Sequence, residues 1–500
     1  MDAFSSSPVN KDLDPSIVDS LVQMFDESNN LVKIFRMSRD RFIECNIHRL
    51  RLRLIGSRTI DGREYNLPTC SEIAAIIVGD IGVDNAYCDI IVELKQGGLH
   101  KINELHPSYM ALQYPLLFPY GEDGFRLCIL CRNIDEIRSD MNDFITMREY
   151  YAFRLQERDD KGHTLIFGGR LFQQFDVDAY KCIEAIRLMW VKKNQEKLRI
   201  ELYNGLKDTV MRGDTTPAFA GKRFVLPSSF TGSPRYMIEN YQDAMAIYRW
   251  AGYPDLFITF TCNAKWPEIE LFLSRKPGQK IEDRPDVVAK VFKIKLGQLL
   301  NDLKHGRHFG RVLAVVYTVE YQKRGLPHAH ILFFLHSDDK HPTAAKIDKI
   351  ISAEIPDLNK EPLAYDAVKQ YMVHGPCGSI NSRASCMIEN KCVKHFPKKF
   401  CSQTTVVNDG FPIYRRRNNG IYVERNGVKL DNRYIVPPNI DLLVKFQAHI
   451  NVEWCNRSRS IKYLFKYITK GDRATLILEE NLHVDASTGM QKTQMKLRDT

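Results

Sequence analysis

Two short patterns in this sequence pair reactive side chains at fixed spacing. The run KRGLPHAHILFFL, residues 323–335, sets His328 and His330 two apart at the start of an apolar stretch. In an extended strand, residues of equal parity share a face. His328, His330, Leu332 and Phe334 then point one way, and Ala329, Ile331, Phe333 and Leu335 the other. Both faces are apolar further on, which predicts a central strand covered on both sides. Two imidazoles placed there need polar partners, because burial without them costs several kcal/mol. A shared metal ion is one such partner. With 14 histidines in 500 residues, a His-x-His pair arises by chance about 0.4 times, so two ordinary core or surface histidines are the alternative and the context has to decide.

The preceding run, RVLAVVYTVEYQ, supplies Glu320 and Gln322 on one strand face, and the short KRGLP connection predicts a hairpin that returns them beside His328 and His330. Two imidazoles and one carboxylate or amide make a three-ligand site with open positions, suited to Mg²⁺ or Mn²⁺ holding a phosphate. Glu320 is the preferred third ligand, since a charged oxygen binds a hard cation better than an amide does. A surface acid at a sheet edge is the plainer reading of that residue.

The second pattern is KYLFKYITKG, which sets Tyr463 and Tyr467 on one face of an expected helix, with Lys462, Lys466 and Lys470 in a row beside them. Tyr317 and Tyr321 share the same spacing, so packing tyrosines are the alternative. A phenol, with an ordinary pKa near ~10, needs help to act as a nucleophile. A divalent metal that polarises a phosphodiester meets the other half of that requirement. Tyrosine attack would conserve the phosphodiester as a phosphotyrosyl ester, and a second tyrosine one turn away could act on a second strand.

The elements that must position these residues are legible in outline. A hydrophobic share of 44% and a charged share of 26% describe a globular chain of several domains. No run suggests a transmembrane helix, and the first residues show neither a basic nor an apolar signal region, so neither membrane association nor secretion is expected. The 12 irregularly scattered cysteines favour reduced thiols and an intracellular compartment. We expect an α+β fold. Residues 1–140 read as a mixed N-terminal region, with helical periodicity around Leu21, Phe25, Val32 and Phe35 and strand-like EIAAIIVGD and YCDIIVEL. Residues 141–254 read as mainly helical, ending with IENYQDAMAIYRWAG closed by Gly252. Residues 255–373 alternate strands and helices; 374–438 form an irregular Cys/His-rich basic insert; 439–475 hold a strand, DLLVKFQAHINVEW, and the tyrosine helix; 476–500 form a tail.

Within the insert, His374, Cys377, Cys386 and Cys392 are four soft donors that could hold a structural Zn²⁺, with buried thiols as the alternative. Cys128 and Cys131, in CILC, have no partner pair nearby and are expected in a core. The whole basic excess sits here too: residues 361–470 carry 18 Lys and Arg against 8 Asp and Glu, while the other 390 residues carry 53 of each sign. Such focusing suits a polyanion. FPKKF and YRRRNNG interleave aromatics with Lys398, Lys399, Arg415, Arg416 and Arg417, a pattern that grips single strands by stacking and charge; a solvated basic loop is the alternative. Trp266 and Trp454 could also stack bases, although core roles are commoner.

The blocks VLPSSFTGSPRYMIENYQDAMAI, DLFITFTCNAKWPEI, EYQKRGLPHAHIL, MVHGPCG and WCNRSRSIKYLFKYITKG resemble the replication-initiator (Rep) region of Helitron rolling-circle transposons, of the HUH endonuclease class. TIDGREYNLPTCSEIAAIIVGD and HPSYMALQYPLLFPYGEDGF extend the likeness over nearly the whole chain. The resemblance implies an antiparallel sheet core flanked by helices, metal-binding His328 and His330, and catalytic Tyr463 and Tyr467. It also implies nicking of single-stranded DNA at transposon ends, a 5′-phosphotyrosyl intermediate, and hence work in the nucleus. The third ligand does not transfer, so Glu320 rests on the residues alone. Helitron proteins usually carry a helicase after this region. No Gly-x4-Gly-Lys-Ser/Thr run is present, AFAGKRF lacking the first glycine and the hydroxyl residue, so unwinding would fall to a helicase activity encoded elsewhere. Two other functions compete. A histidine-triad nucleotide hydrolase needs a further alternating histidine where Leu332 stands. A DNA-binding protein that keeps the fold without the reaction is compatible with the same residues.

Overall fold

The computed structural model describes residues 14–45, 50–54, 74–78, 91–93, 105–130, 144–158, 164–195, 225–306, 308–321, 325–340, 343–406, 412–455 and 474–477. The chain divides into two units, Met1–Phe224 with Glu282–Arg284, and Val225–Ile281 with Pro285–Thr500.

In the first unit, the periodic run near the start becomes two helices, α1 (Pro15–Ser28) and α2 (Asn30–Cys45). The break is Asn29, which is buried and extended in backbone, and whose Oδ1 accepts from the Val32 N–H at 3.1 Å. An amide side chain that satisfies a free helix N–H starts a new helix there. Strands β1 (Leu50–Leu54), β2 (Ala74–Val78) and β3 (Ile91–Glu93) form an antiparallel sheet in the order β2-β1-β3. Helices α3 (Tyr109–Gln113), α4 (Met147–Arg154) and α5 (Arg170–Lys193) follow. A capping box opens α4: Thr146 Oγ1 accepts from Glu149 N–H, and the Glu149 carboxylate accepts from Thr146 N–H. Ile34, Met110, Phe118, Phe172 and Phe175 make the core, with the Tyr114 and Tyr151 rings edge-on to Phe175. Cys128 departs from expectation. It is exposed rather than packed, in a turn where its φ is 65°, and Cys131 lies outside the described residues.

The second unit opens with α6 (Pro234–Ala251), capped by Ser233 Oγ on the Tyr236 N–H and closed by Gly252 at φ 78°. In chain order follow β4 (Leu256–Thr261), α7 (Pro267–Ser274), α8 (Pro285–Lys304), β5 (Val312–Tyr321), β6 (Pro327–Leu335), α9 (Ala344–Ile350) and α10 (Pro362–Tyr371). The short hairpins β7 (Met387–Ile388) with β8 (Lys391–Cys392) and β9 (Tyr422–Arg425) with β10 (Val428–Asp431) come next. Then come α11 (Ile440–Phe446), β11 (Ile450–Trp454) and β12 (Ala474–Ile477). The run DLLVKFQAHINVEW was expected to be all strand, yet its first half is α11. Asn439 Oδ1 caps it through the Leu442 N–H, and Gln447 ends it in a left-handed conformation, so a capping amide outweighs the apolar run.

The central sheet has the order β11-β4-β6-β5-β12, every neighbouring pair antiparallel. β6 is central and buried along its whole length, as its two apolar faces predict. One face, with Ile258, Phe260, Ala329, Ile331 and Phe333, packs on Phe292, Leu296 and Leu299 of α8. Trp266 and Trp454 belong to this core rather than to a stacking surface; Trp266 Nε1 donates to the Phe446 carbonyl at 2.7 Å. On the other face, Phe257, Ala314, Val316, Leu332 and Phe334 pack on Ala244 and Ile247 of α6. The fold class is therefore α+β, an antiparallel sheet with helices on both faces.

Phe333 is fully buried on the central strand and meets Phe309 edge-on at 5.8 Å. Phe333→Ala should lower the stability of this unit by about 3–5 kcal/mol, read as an earlier urea midpoint. Ile388→Ala, at a position 63% exposed, should shift it by no more than ~0.5 kcal/mol.

Candidate functional site

Sheet register builds the site. Glu320 on β5 lies directly opposite His328 on β6, and Thr318 opposite His330. Across the other edge of β6, Thr261 faces His328 and Thr259 faces His330. Directly opposed residues share a face, so these six side chains form a polar end to the sheet face whose other half packs under α6. The two imidazoles converge, Nε2 to Nε2, at 2.9 Å. Glu320 Oε2 lies 3.6 Å from His328 Nε2 and 3.7 Å from His330 Nε2. All three donor atoms thus fall within 4.8 Å of one another. Gln322, the other candidate third ligand, lies outside the described residues.

The neighbours orient the rings. Thr259 Oγ1 is 3.3 Å from His330 Nδ1; with Nδ1 protonated the hydroxyl accepts, and the Nε2 lone pair is left facing Glu320 and His328. Phe257 stacks on the His330 ring at 5.6 Å, the planes 9° apart. Sequence reasoning missed His449. It immediately precedes β11, and register places it beside Thr261 in the row that continues to His328 and Glu320. Burial, with a smaller contribution from the His328 charge, outweighs a backbone hydrogen bond and lowers its imidazole to about 4. Thr318 Oγ1, His449 Nδ1 and Asn451 Oδ1 are buried atoms without a hydrogen-bond partner among the described residues. The signal that could have found His449 was pairing between β4 and β11, which a single strand's alternation does not reveal.

The structure also brings the four soft donors together. His374 Nε2, and the sulfurs of Cys377, Cys386 and Cys392, lie within 4.8 Å of one another, with His374 Nε2 and Cys392 Sγ 3.4 Å apart. The β7–β8 hairpin, turned through Glu389 and Asn390 at positive φ, brings Cys386 and Cys392 alongside each other. Burial would raise the Cys392 thiol, but the backbone N–H groups of Phe396 and Lys394 and the thiols of Cys386 and Cys377 hold it below its ordinary value.

The basic residues fare differently. Arg416 is corrected: its guanidinium is buried, donating to the Asn432 and Ile435 carbonyls at 2.6 and 2.8 Å, and burial lowers it to about 10. It closes a polar interior and presents no charge to a nucleic acid. Arg417 pairs with Glu354 at 2.6 Å, and Arg415 with Glu354 and Asp348 at 3.3 and 3.2 Å. Lys398 is half-buried, its ammonium 5.0 Å from the Phe396 ring centre, and Lys399 is exposed. Tyr463 and Tyr467, with Lys462, Lys466 and Lys470, lie outside the described residues.

Comparison with curated proteins gives no match. Residues 150–333 match the family described as "Helitron helicase-like domain at N-terminus". The matched span contains β4, β5, Glu320, His328 and His330, and stops before the cysteine cluster. Residues 150–333, which supply Glu320, His328 and His330, are thus similar to a Helitron helicase-like N-terminal region.

Proposed function

We propose that this protein nicks single-stranded DNA at transposon ends in the nucleus and rejoins the strands through a phosphotyrosyl intermediate. The observation that carries the reading is the convergence of Glu320, His328 and His330 on adjacent central strands, all three donor atoms within 4.8 Å. The donor set fits a divalent cation: the carboxylate suits Mg²⁺ and Mn²⁺, and the imidazoles favour Mn²⁺ of the two. Such a cation, when bound, would withdraw charge from the scissile phosphate. Thr259 lies against the His330 ring, and the apolar half of the same face packs under α6.

The nucleophiles belong to the stretch between the last two strands. β11 and β12 are opposite edges of the sheet, and residues 456–473 join them. Tyr463 and Tyr467 stand in this connection, and their role as nucleophiles is part of the proposal. In the proposed step a tyrosine Oη loses its proton and bonds to phosphorus. The P–O3′ bond breaks, and the leaving 3′ oxygen takes up a proton. The DNA keeps a 3′-hydroxyl on one side and a 5′-phosphotyrosyl ester on the other, and attack by a second 3′-hydroxyl reverses the chemistry and joins strands.

Incubating the full chain with a single-stranded oligonucleotide and Mn²⁺ should yield a protein–DNA adduct that survives denaturation. Tyr463→Phe with Tyr467→Phe should reduce that adduct by at least about 100-fold and leave DNA affinity within about twofold. Wild-type adduct yield in that double variant would remove the tyrosines from the mechanism, and salt-sensitive binding with no adduct from the parent protein would favour the non-catalytic binding protein. A released mononucleotide would favour the hydrolase.

His328→Ala should abolish metal-dependent nicking. Glu320→Gln keeps the shape but removes the charge, so it should raise the Mn²⁺ concentration for half-maximal nicking by about 10- to 100-fold. An unchanged metal titration would exclude Glu320 as a ligand.

A further inference from the structure

The segment from His374 to Gln403 has almost no core of its own. Its buried residues are Cys377 and Cys392, and both belong to the four-donor cluster. Around them the surface is open: Ile380, Ile388 and Val393 are 49, 63 and 46% exposed. A stretch that buries so little apolar area cannot offset its ordering entropy by packing alone. Yet its backbone is held in a defined path. The Val393 N–H donates to the Cys386 carbonyl at 2.9 Å, the His395 N–H to the Cys392 carbonyl at 2.8 Å, and the Lys398 N–H to the Arg433 carbonyl at 3.0 Å. Something other than apolar burial holds this path.

We propose that His374, Cys377, Cys386 and Cys392 bind a structural zinc ion. Tetrahedral zinc places sulfur at about 2.3 Å and imidazole nitrogen at about 2.0 Å, so a sulfur–nitrogen edge of such a tetrahedron is about 3.5 Å. The His374 Nε2 to Cys392 Sγ separation is 3.4 Å. The Phe396 and Lys394 N–H groups directed at Cys392 Sγ are the outer partners that steady a thiolate ligand. His374 is fixed on its other sides, its ring stacked on Phe396 at 4.2 Å and its backbone N–H donating to the Tyr434 carbonyl at 2.8 Å. Four protein donors close the coordination shell, so the centre has no open position for substrate and its role is structural.

The ion would join two parts of the insert. His374 follows α10 and lies next to Val373, which bridges to Ile435. That side belongs to the small core of Val368, Met372, Val423, Leu430 and Ile435. Cys386 and Cys392 lie at the base of the β7–β8 hairpin. Zinc therefore ties the hairpin to this core, which reaches the central sheet where the Val452 N–H donates to the Pro437 carbonyl at 2.8 Å. The site is separate in residues and in donor chemistry from Glu320, His328 and His330, and does not depend on the nicking reading.

The test is metal analysis of the full chain, purified without chelator and dialysed against buffer containing Mg²⁺. We expect about one zinc per chain, retained in His328→Ala and reduced at least about tenfold in Cys392→Ser. The parent protein refolded with Co²⁺ in place of zinc should show a thiolate-to-cobalt charge-transfer band and strong visible bands of tetrahedral cobalt. This readout does not depend on whether Cys392→Ser folds. Folded parent protein with less than about 0.1 zinc per chain and no tetrahedral cobalt spectrum would overturn the proposal. So would zinc lost in His328→Ala and kept in Cys392→Ser, or a disulfide among the three cysteines in place of metal.

Discussion

Between β5 and β6, Glu320 is held directly opposite His328 and Thr318 opposite His330, and the convergence of the three donors follows from that register. A slip of one residue would turn Glu320 to the opposite face and set Val319 in its row. The register is held at the far end of the hairpin. There the His336 N–H donates to the Arg311 carbonyl at 2.9 Å, and the Arg311 N–H donates to the Asp339 carboxylate at 3.0 Å. Complete burial of β6 on both faces penalises any slip further, since each face has its own partner helix. The one irregularity in the pairing, between Val312 and Ala314, falls at that same far end and leaves the ladder through Glu320 and His328 regular. A bulge absorbs an extra residue where it does least harm to the pairing beyond it.

Much of this arrangement was readable in the residues because it depends on short-range rules. Alternation along PHAHILFFL and the brief KRGLP link were enough to predict a central strand, a hairpin and the company of Glu320. The four soft donors were readable as a group for a similar reason, since three of them sit within one 16-residue stretch and the fourth lies just ahead. What escaped the reading depends on pairings between distant segments. His449 reaches the site only because β11 pairs with β4, a contact across nearly 190 residues. The helix at Ile440–Phe446 was hidden by an apolar run that suits either conformation, and Asn439 settled it through one side-chain hydrogen bond. Asn29 divides α1 from α2 by the same device.

The basic segment shows how charge counted along a chain misleads when burial is unknown. The arginines in YRRRNNG look like a surface for a polyanion, but Arg416 is buried, and half-buried Arg415 and exposed Arg417 are paired with Glu354. Burial alone would raise the Glu354 carboxyl, yet the hydrogen bonds from Arg417 and the Arg415 charge hold it below its usual value. Arg416 donates to the Asn432 and Ile435 carbonyls. A guanidinium has several N–H groups in a rigid fork and suits such a task better than lysine. Arg425 does similar work, donating to the Val373, Lys369 and Gln370 carbonyls. Among the described residues Lys391, Lys394 and Lys399 are exposed, and under the proposed function their flexible ammonium groups would suit a phosphate backbone read without sequence.

The two donor clusters share imidazole, so their selectivity has to come from the other ligands. At the cysteine cluster three sulfurs and a closed shell favour zinc strongly over magnesium or manganese, because soft donors bind hard cations poorly. At the sheet the position is less one-sided. A carboxylate with two imidazoles also suits zinc, and zinc stands above manganese in intrinsic affinity for such donors. Geometry alone therefore does not reserve that site for a hard cation. Under the proposed function, openness and availability would favour one: three ligands leave positions for water and a phosphate oxygen, and hard cations such as magnesium keep waters and meet phosphate readily. If both sites fill as proposed, zinc held by the thiolates exerts no pull on a separate site, so the free concentrations of the ions would decide which one the sheet site takes.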